Sequence, residues 1–319
     1  VITQGYFYVD RTAYIRLIEE TGDQLLLLRP RRFGKSMLLS MLENYYDVNK
    51  ADEFDRLFGD LEIGKDPTPL HNQYLVMRWD FSAVRTYGSV EDVARALNDY
   101  INIRIDNFVS RYDHLLSRKV TIYPDNAAVS FESALTAIQR TPYKLYLLID
   151  EYDNFANEVL MAGGNVGRQR YQELVEGEGV FRSIFKTIKS ATGGLGLDRF
   201  FIVGVSPIVL SDVSSGFTIS GNIYLRRSFD DICGFTEQEV ENALHQVIEE
   251  LNLPPTKVDE ALFIMRAFYN GYSFSYDVPP TIYNSTLTLY FLQHLLQEGT
   301  YPSQMFDSNL AMDQTKIAY

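Results

Sequence analysis

Four consecutive leucines, Leu25–Leu28, run directly into Arg29-Pro30-Arg31-Arg32-Phe33-Gly34-Lys35-Ser36 and then into Met37-Leu38-Leu39. Few arrangements suit this order: a short apolar strand from Gln24 to Leu28, a turn, and a helix from Lys35 to Tyr46. Gly-Lys-Ser at a strand-to-helix junction is the context a phosphate-binding loop requires. Gly34 lets the backbone approach closely, Lys35 reaches the β- and γ-phosphates, and the Ser36 hydroxyl coordinates Mg²⁺. The N–H groups that open the helix add positive potential at the same point. Arg31, Arg32, Phe33, Gly34, Lys35, Ser36 and Met37 are therefore the candidate nucleotide-binding residues. The tripeptide alone would equally describe an exposed helix start with a solvated lysine; the flanking strand and helix favour the loop. The pattern departs from G-x-x-x-x-G-K-[ST] at its first position, where Arg29 replaces glycine, so the tight turn must be made another way.

The remaining apolar runs support a parallel α/β sheet, because strands buried on both faces read as near-continuous apolar stretches. Tyr74–Phe81, Lys144–Ile149 and Arg199–Val205 are the further strands; helical patterns cover Val90–Tyr112, Phe131–Gln139 and Tyr171–Ala191. Ser206–Asn222, rich in Ser and Gly, reads as a loop. Beyond it the pattern turns helical. Thr236 and Glu239 have the spacing of a capping box that opens a helix to Leu251, and Leu253-Pro254-Pro255 ends it. Two further helical stretches, Lys257–Tyr269 and Tyr283–Gln297, flank a turn at Asn270–Asp277. The expected organisation is a P-loop α/β core over residues 1–225 and a helical, winged-helix-like lid over 226–319.

The third strand ends in Ile149-Asp150-Glu151. Open α/β sheets bind ligands at the carboxyl ends of their strands, so an acid there is chemically useful. Asp150 would hold Mg²⁺, and Glu151 would orient or deprotonate the attacking water. A solvated turn is the competing explanation for the acidic pair alone; two signals supplying different parts of one Mg²⁺–nucleotide site are harder to explain by chance. Ser206, after the fourth strand, is placed to sense a γ-phosphate, although Ser206-Pro207 is also an ordinary strand-ending turn. Arg226 and Arg227, after the strand-like Ile223–Leu225, are candidate arginine fingers from this chain or a neighbouring copy. Arg29, Arg31 and Arg32 could meet phosphate, pair with nearby acids or face a partner. Tyr269, Tyr272, Phe274 and Tyr276 could stack on a base, although packing suits most of them better.

Composition narrows the classes. Asp and Glu total 42 against 29 for Lys and Arg, a net charge of −13, which argues against a broad basic nucleic-acid surface on this segment. The lone cysteine, Cys233, excludes a disulfide framework. No apolar run approaches the roughly 20 residues of a membrane span, and the opening residues lack a secretory pattern. A reducing, cytoplasmic setting is expected, and the start on Val1 suggests that the natural beginning lies upstream.

At these motifs the chain closely resembles the AAA-ATPase-like family, whose loop reads Arg-Pro-Arg-Arg-Phe-Gly-Lys-Ser. The likeness includes Tyr8-Val9-Asp10-Arg11-Thr12, Asp80-Phe81-Ser82, Ile149-Asp150-Glu151-Tyr152-Asp153 and Gly204-Val205-Ser206-Pro207. It continues through Ser215-Gly216-Phe217, Gly234-Phe235-Thr236-Glu237, Tyr269-Asn270-Gly271-Tyr272, Ile282-Tyr283-Asn284-Ser285 and Asp307-Ser308-Asn309-Leu310. The resemblance implies an ATPase of the AAA-like or STAND-like branch using ATP and Mg²⁺, with Arg29 a family trait and Ser206 at the position that senses the γ-phosphate in such ATPases. It further implies a fused C-terminal, nuclease-like PD-(D/E)XK effector, although no such motif occurs up to Tyr319; a homo-oligomer is one possible assembly. A nucleotide-gated scaffold with negligible turnover is the alternative, and a small-molecule kinase a weaker one.

Overall fold

The computed structural model describes residues 7–161, 164–175, 179–192, 194, 196–207, 221–275 and 281–305. Tyr276, the Ser215-Gly216-Phe217 and Asp307–Leu310 motifs, and most of the expected 206–222 loop lie outside these residues. The chain divides into two compact units, Val1–Pro30 with Lys35–Ile223, and Arg31–Gly34 with Tyr224–Tyr319.

The first unit is built on five parallel strands, β1 (Gln24–Leu28), β2 (Tyr74–Asp80), β3 (Lys144–Asp150), β4 (Leu197–Gly204) and β5 (Gly221–Asn222), in the order β2-β3-β4-β1-β5. Leu25–Leu28, Leu145–Ile149 and Phe200–Val203 are all buried, as double-sided burial of a parallel sheet demands. Helix α1 (Tyr14–Thr21) precedes β1, and the connections carry α2 (Lys35–Tyr46), α3 (Phe54–Phe58), α4 (Glu62–Lys65), α5 (Val90–Tyr112), α6 (Ala127–Ile138), α7 (Asn154–Met161), α8 (Gly164–Leu174) and α9 (Val180–Ala191). Helix α5 starts where its sequence says it should. The Ser89 hydroxyl accepts from Asp92 N–H at 3.2 Å, and Asp92 Oδ2 accepts from Ser89 N–H at 3.0 Å.

Two expectations need correction. The continuous helix over Tyr171–Ala191 is two helices, because the chain stops at Leu174 and restarts after Gly179, which takes an extended conformation as the N-cap of α9. Glycine is a poor helix former, and the stretch before Val180 carries two of them. Ile223–Leu225 is not a strand either: Gly221–Asn222 pairs with Leu25–Leu26 as β5, and only Ile223 N–H continues the ladder, to Leu26 O at 3.0 Å.

The second unit is helical: α10 (Glu237–Glu250), α11 (Thr256–Tyr269) and α12 (Ser285–Glu298), with a short 3-10 turn at Arg227–Phe229. Thr236 and Glu239 form the expected capping box. Isolated antiparallel bridges join Phe235 to Tyr283 and Tyr272 to Ile282. Asn284 caps α12, accepting from Leu287 N–H at 3.2 Å. Arg31–Gly34 belongs to this unit through its backbone carbonyls. Arg31 O accepts from Asn284 Nδ2 at 3.4 Å, Arg32 O from Thr286 N–H and Oγ1 at 3.3 and 3.2 Å, and Phe33 O from Gly234 N–H and Ser285 Oγ at 3.0 and 3.1 Å.

Among the described residues, no helix is long and apolar enough to cross a membrane.

Candidate functional site

All five strands run the same way, so their carboxyl ends share one edge of the sheet. The order β3-β4-β1 puts the end of β4 between the other two. The loop after β1, Ser206 after β4 and Asp150 at the end of β3 therefore occupy neighbouring positions along that edge. This is the placement that open α/β sheets use for ligands.

The loop makes its turn without a first glycine. Left-handed backbone occurs at Arg32 (φ 70°) and Gly34 (φ 93°), not at Arg29. Glycine takes such a conformation without a steric cost, which accounts for Gly34. Arg29 is instead buried, with its N–H bonded to Gly204 O at 3.1 Å and its Nη1 to Leu28 O at 2.8 Å. The substitution that broke the sequence pattern thus falls at a position with no need of glycine's freedom.

Lys35 is 4 % exposed, and its ammonium donates to Arg29 O and Pro30 O, each at 3.0 Å. Ser36 and Met37, on the first turn of α2, are exposed. Phe33 offers a ligand only its backbone, because its ring is fully buried, edge-on to Tyr272 at 4.7 Å and Phe274 at 5.5 Å. Those two aromatics, and Tyr269 against Phe291, are packing residues here. Arg226 is exposed at the turn before Arg227–Phe229.

Asp150 is 1 % exposed. Its Oδ2 accepts from Arg78 Nη2 at 2.8 Å, while its Oδ1 is buried without a hydrogen-bond partner. A buried carboxylate oxygen in that state costs free energy unless something is supplied to it, and a divalent cation or its water shell would meet the need. The donor set fits Mg²⁺, which keeps most of its waters and takes one or two protein ligands together with phosphate oxygens. Glu151 follows with φ 47°, a strained conformation outside glycine. Asp153 is buried and accepts from Val205 N–H at 3.2 Å and Ser206 N–H at 2.7 Å. Burial pushes its carboxyl above the ordinary range, opposed by those N–H groups and by the charge of Lys35. Tyr152 Oη donates to Ser206 O, so both residues after Glu151 hold the end of β4. The approach leaves no room at Gly204, where an added Cβ would lie 2.4 Å from the Tyr152 ring.

Sequence reading missed Arg78 and assigned no role to Asp153. Arg78 had a visible signal, a lone cation inside the apolar run Tyr74-Leu75-Val76-Met77-Arg78-Trp79. Its partner on the next strand was not legible.

A family model described as "Predicted AAA-ATPase" matches residues 1–214. A curated protein of Azotobacter chroococcum mcd 1, described as an uncharacterized protein in the vnfD 5' region, is 26% identical over 274 residues. That alignment covers 85% of this chain and 46% of the relative, so the chain spans about half the relative's length.

Proposed function

Because the chain belongs to the predicted AAA-ATPase family, we propose that it binds ATP with Mg²⁺ at the carboxyl edge of its sheet and hydrolyses it. The observation that carries this reading is the pairing, along one sheet edge, of the Lys35 loop with a buried carboxylate that has one oxygen unsatisfied. Lys35 Nζ would exchange two neutral carbonyls for anionic phosphate oxygens, gaining opposite charge on the acceptor. Ser36 Oγ and Asp150 Oδ1 would hold Mg²⁺, which when bound neutralises charge on the phosphates. Glu151 would take the proton of the attacking water. Ser206, its backbone held by Asp153, would sense the γ-phosphate, and Arg226 would serve as a finger. The helical C-terminal unit is read as the lid, winged-helix-like in outline.

Thermal melting with and without Mg²⁺·ATP tests the reading. The wild-type chain should gain a few degrees, since ligand at 100 times its Kd adds about 2.7 kcal/mol. Lys35→Ala should gain nothing, and Glu151→Gln should retain bound ATP without releasing phosphate. No shift in the wild type would sink the idea.

A specific observation favours a second reading, a nucleotide-gated switch with negligible turnover. Lys35 is bonded to loop carbonyls and Asp150 to Arg78, contacts that a bound nucleotide and its metal would have to replace. Multiple turnovers lost in Glu151→Gln would exclude it. On either reading the nucleotide state would be passed to a fused effector or to further copies of the chain, within a cytoplasmic protein.

A further inference from the structure

Edge strand β2 and helix α5, together with Glu43 of α2, line an open cavity of about 340 Å³. Three arginines enter its lining, Arg78 from β2 and Arg104 and Arg111 from α5. Two of them have carboxylate partners. Arg78 bonds Asp150 at 2.8 Å, and Arg111 bonds Glu43 at 2.9 Å and also Asp47. Arg104 differs. Among the described residues no carboxylate lies within ion-pair distance of it, its Nε is buried without a hydrogen-bond partner, and its guanidinium lies over the Tyr100 ring at 4.9 Å.

The rest of the lining sharpens the contrast. Tyr100 is 8 % exposed, and its hydroxyl accepts from Asp80 N–H at 2.6 Å, which leaves the hydroxyl proton to be donated. The two carboxylates of the lining are already engaged. Glu43 faces Arg78 and Arg111, and Asp80 Oδ1 accepts from the Ser82 N–H and hydroxyl at 3.0 and 2.7 Å. Asp80 keeps its negative charge, so the cation left unpaired in the lining is Arg104, with O–H or N–H donors beside it and apolar lining residues that include Val76 and Phe108. Guanidinium donors in a partly desolvated cavity favour phosphate oxygens.

We propose that this cavity is a second binding site, separate from the nucleotide loop, and that it takes a small phosphate-bearing anion on Arg104 and the Tyr100 hydroxyl. Arg78, with donors left over after Asp150, completes the set. The volume lies at the small end of ligand pockets and suits free phosphate or a small phosphate monoester.

The test is calorimetric titration of inorganic phosphate, without Mg²⁺, into the full chain carrying Lys35→Ala, which removes the loop's own phosphate contact. Saturable one-site binding is expected, weakened at least tenfold by adding Arg104→Gln. Adding Ala83→Glu instead, at an exposed position of the lining, should weaken it similarly by setting a carboxylate beside the arginines without disturbing packed residues. Glycerol 3-phosphate in a parallel titration distinguishes the sources: tighter binding than phosphate identifies an ester, equal or weaker binding the free ion. Absence of saturable binding, or unchanged affinity in the folded Ala83→Glu variant, overturns the proposal. The ATPase reading fails separately, by the absence of a nucleotide shift in a chain whose Lys35 is intact.

Discussion

The loop after β1 and the turn after β3 each hold an ionic group of the candidate site, but hold it differently. Lys35 sits on two neutral carbonyls, both of them on its own loop. Asp150 sits on a charged guanidinium from the neighbouring strand, through one oxygen only. Exchanging carbonyls for phosphate oxygens replaces hydrogen bonds to neutral acceptors with ones to anionic acceptors, so the cationic side gains by exchange. The anionic side is poised differently. A metal ion held by the buried, unsatisfied Oδ1 of Asp150 would meet the positive charge of Arg78 close by. Order of binding should follow from this contrast, with nucleotide recruited by the loop and the metal held by phosphate and carboxylate together.

The largest test of that contrast is Arg78→Gln. Leaving a 1 % exposed carboxylate without its cation should destabilise the metal-free chain by about 3 kcal/mol, measured by urea unfolding. The same variant should bind Mn²⁺ about tenfold more tightly by electron paramagnetic resonance, since a competing positive charge is gone. A fall in Mn²⁺ affinity would mean that Arg78 orients Asp150 for metal instead of opposing it.

Gly204→Ala probes how closely the acidic turn is packed. The new methyl would lie 2.4 Å from the Tyr152 ring and 2.6 Å from Asp153 Oδ1, so a loss of about 1–3 kcal/mol in stability is expected from thermal melts. A neutral outcome would show that the turn can shift away from β4.

The smallest effect is a pH dependence. Asp153 has a folded-state pKa raised above its ordinary 3.8, chiefly by burial, so its ionised form disfavours the folded state. That cost is absent below the ordinary pKa and complete above the raised one. The stability of Asp153→Asn relative to wild type should therefore increase as pH rises through this window and then level off. Unfolding curves collected across the window would contradict the assignment if the difference declined instead.

Much of the sheet was legible because its signal is local. Continuous apolar runs marked β1 to β4 within a residue or two, and Thr236 with Glu239 announced the start of α10 by spacing alone. The failures share a cause as well. A period of 3.6 bridged the break at Gly179, and an apolar triplet at Ile223–Leu225 imitated a strand whose hydrogen-bonding positions lie at Gly221–Asn222.

By itself the sequence determined the candidates, by chemistry and by position after apolar runs: Lys35 and Ser36 for phosphate and metal, Asp150 for metal, and Glu151 as base. Tertiary structure decided which residues those groups meet. Strand order placed β4 between β3 and β1, register set Arg78 close enough to bond Asp150, and carbonyl hydrogen bonds from Asn284, Ser285 and Thr286 assigned Arg31–Phe33 to the C-terminal unit. These pairings join residues 72 to 254 positions apart. Periodicity reports only on neighbours along the chain, whereas charge pairing and hydrogen bonding act between whatever residues the fold brings within a few ångströms.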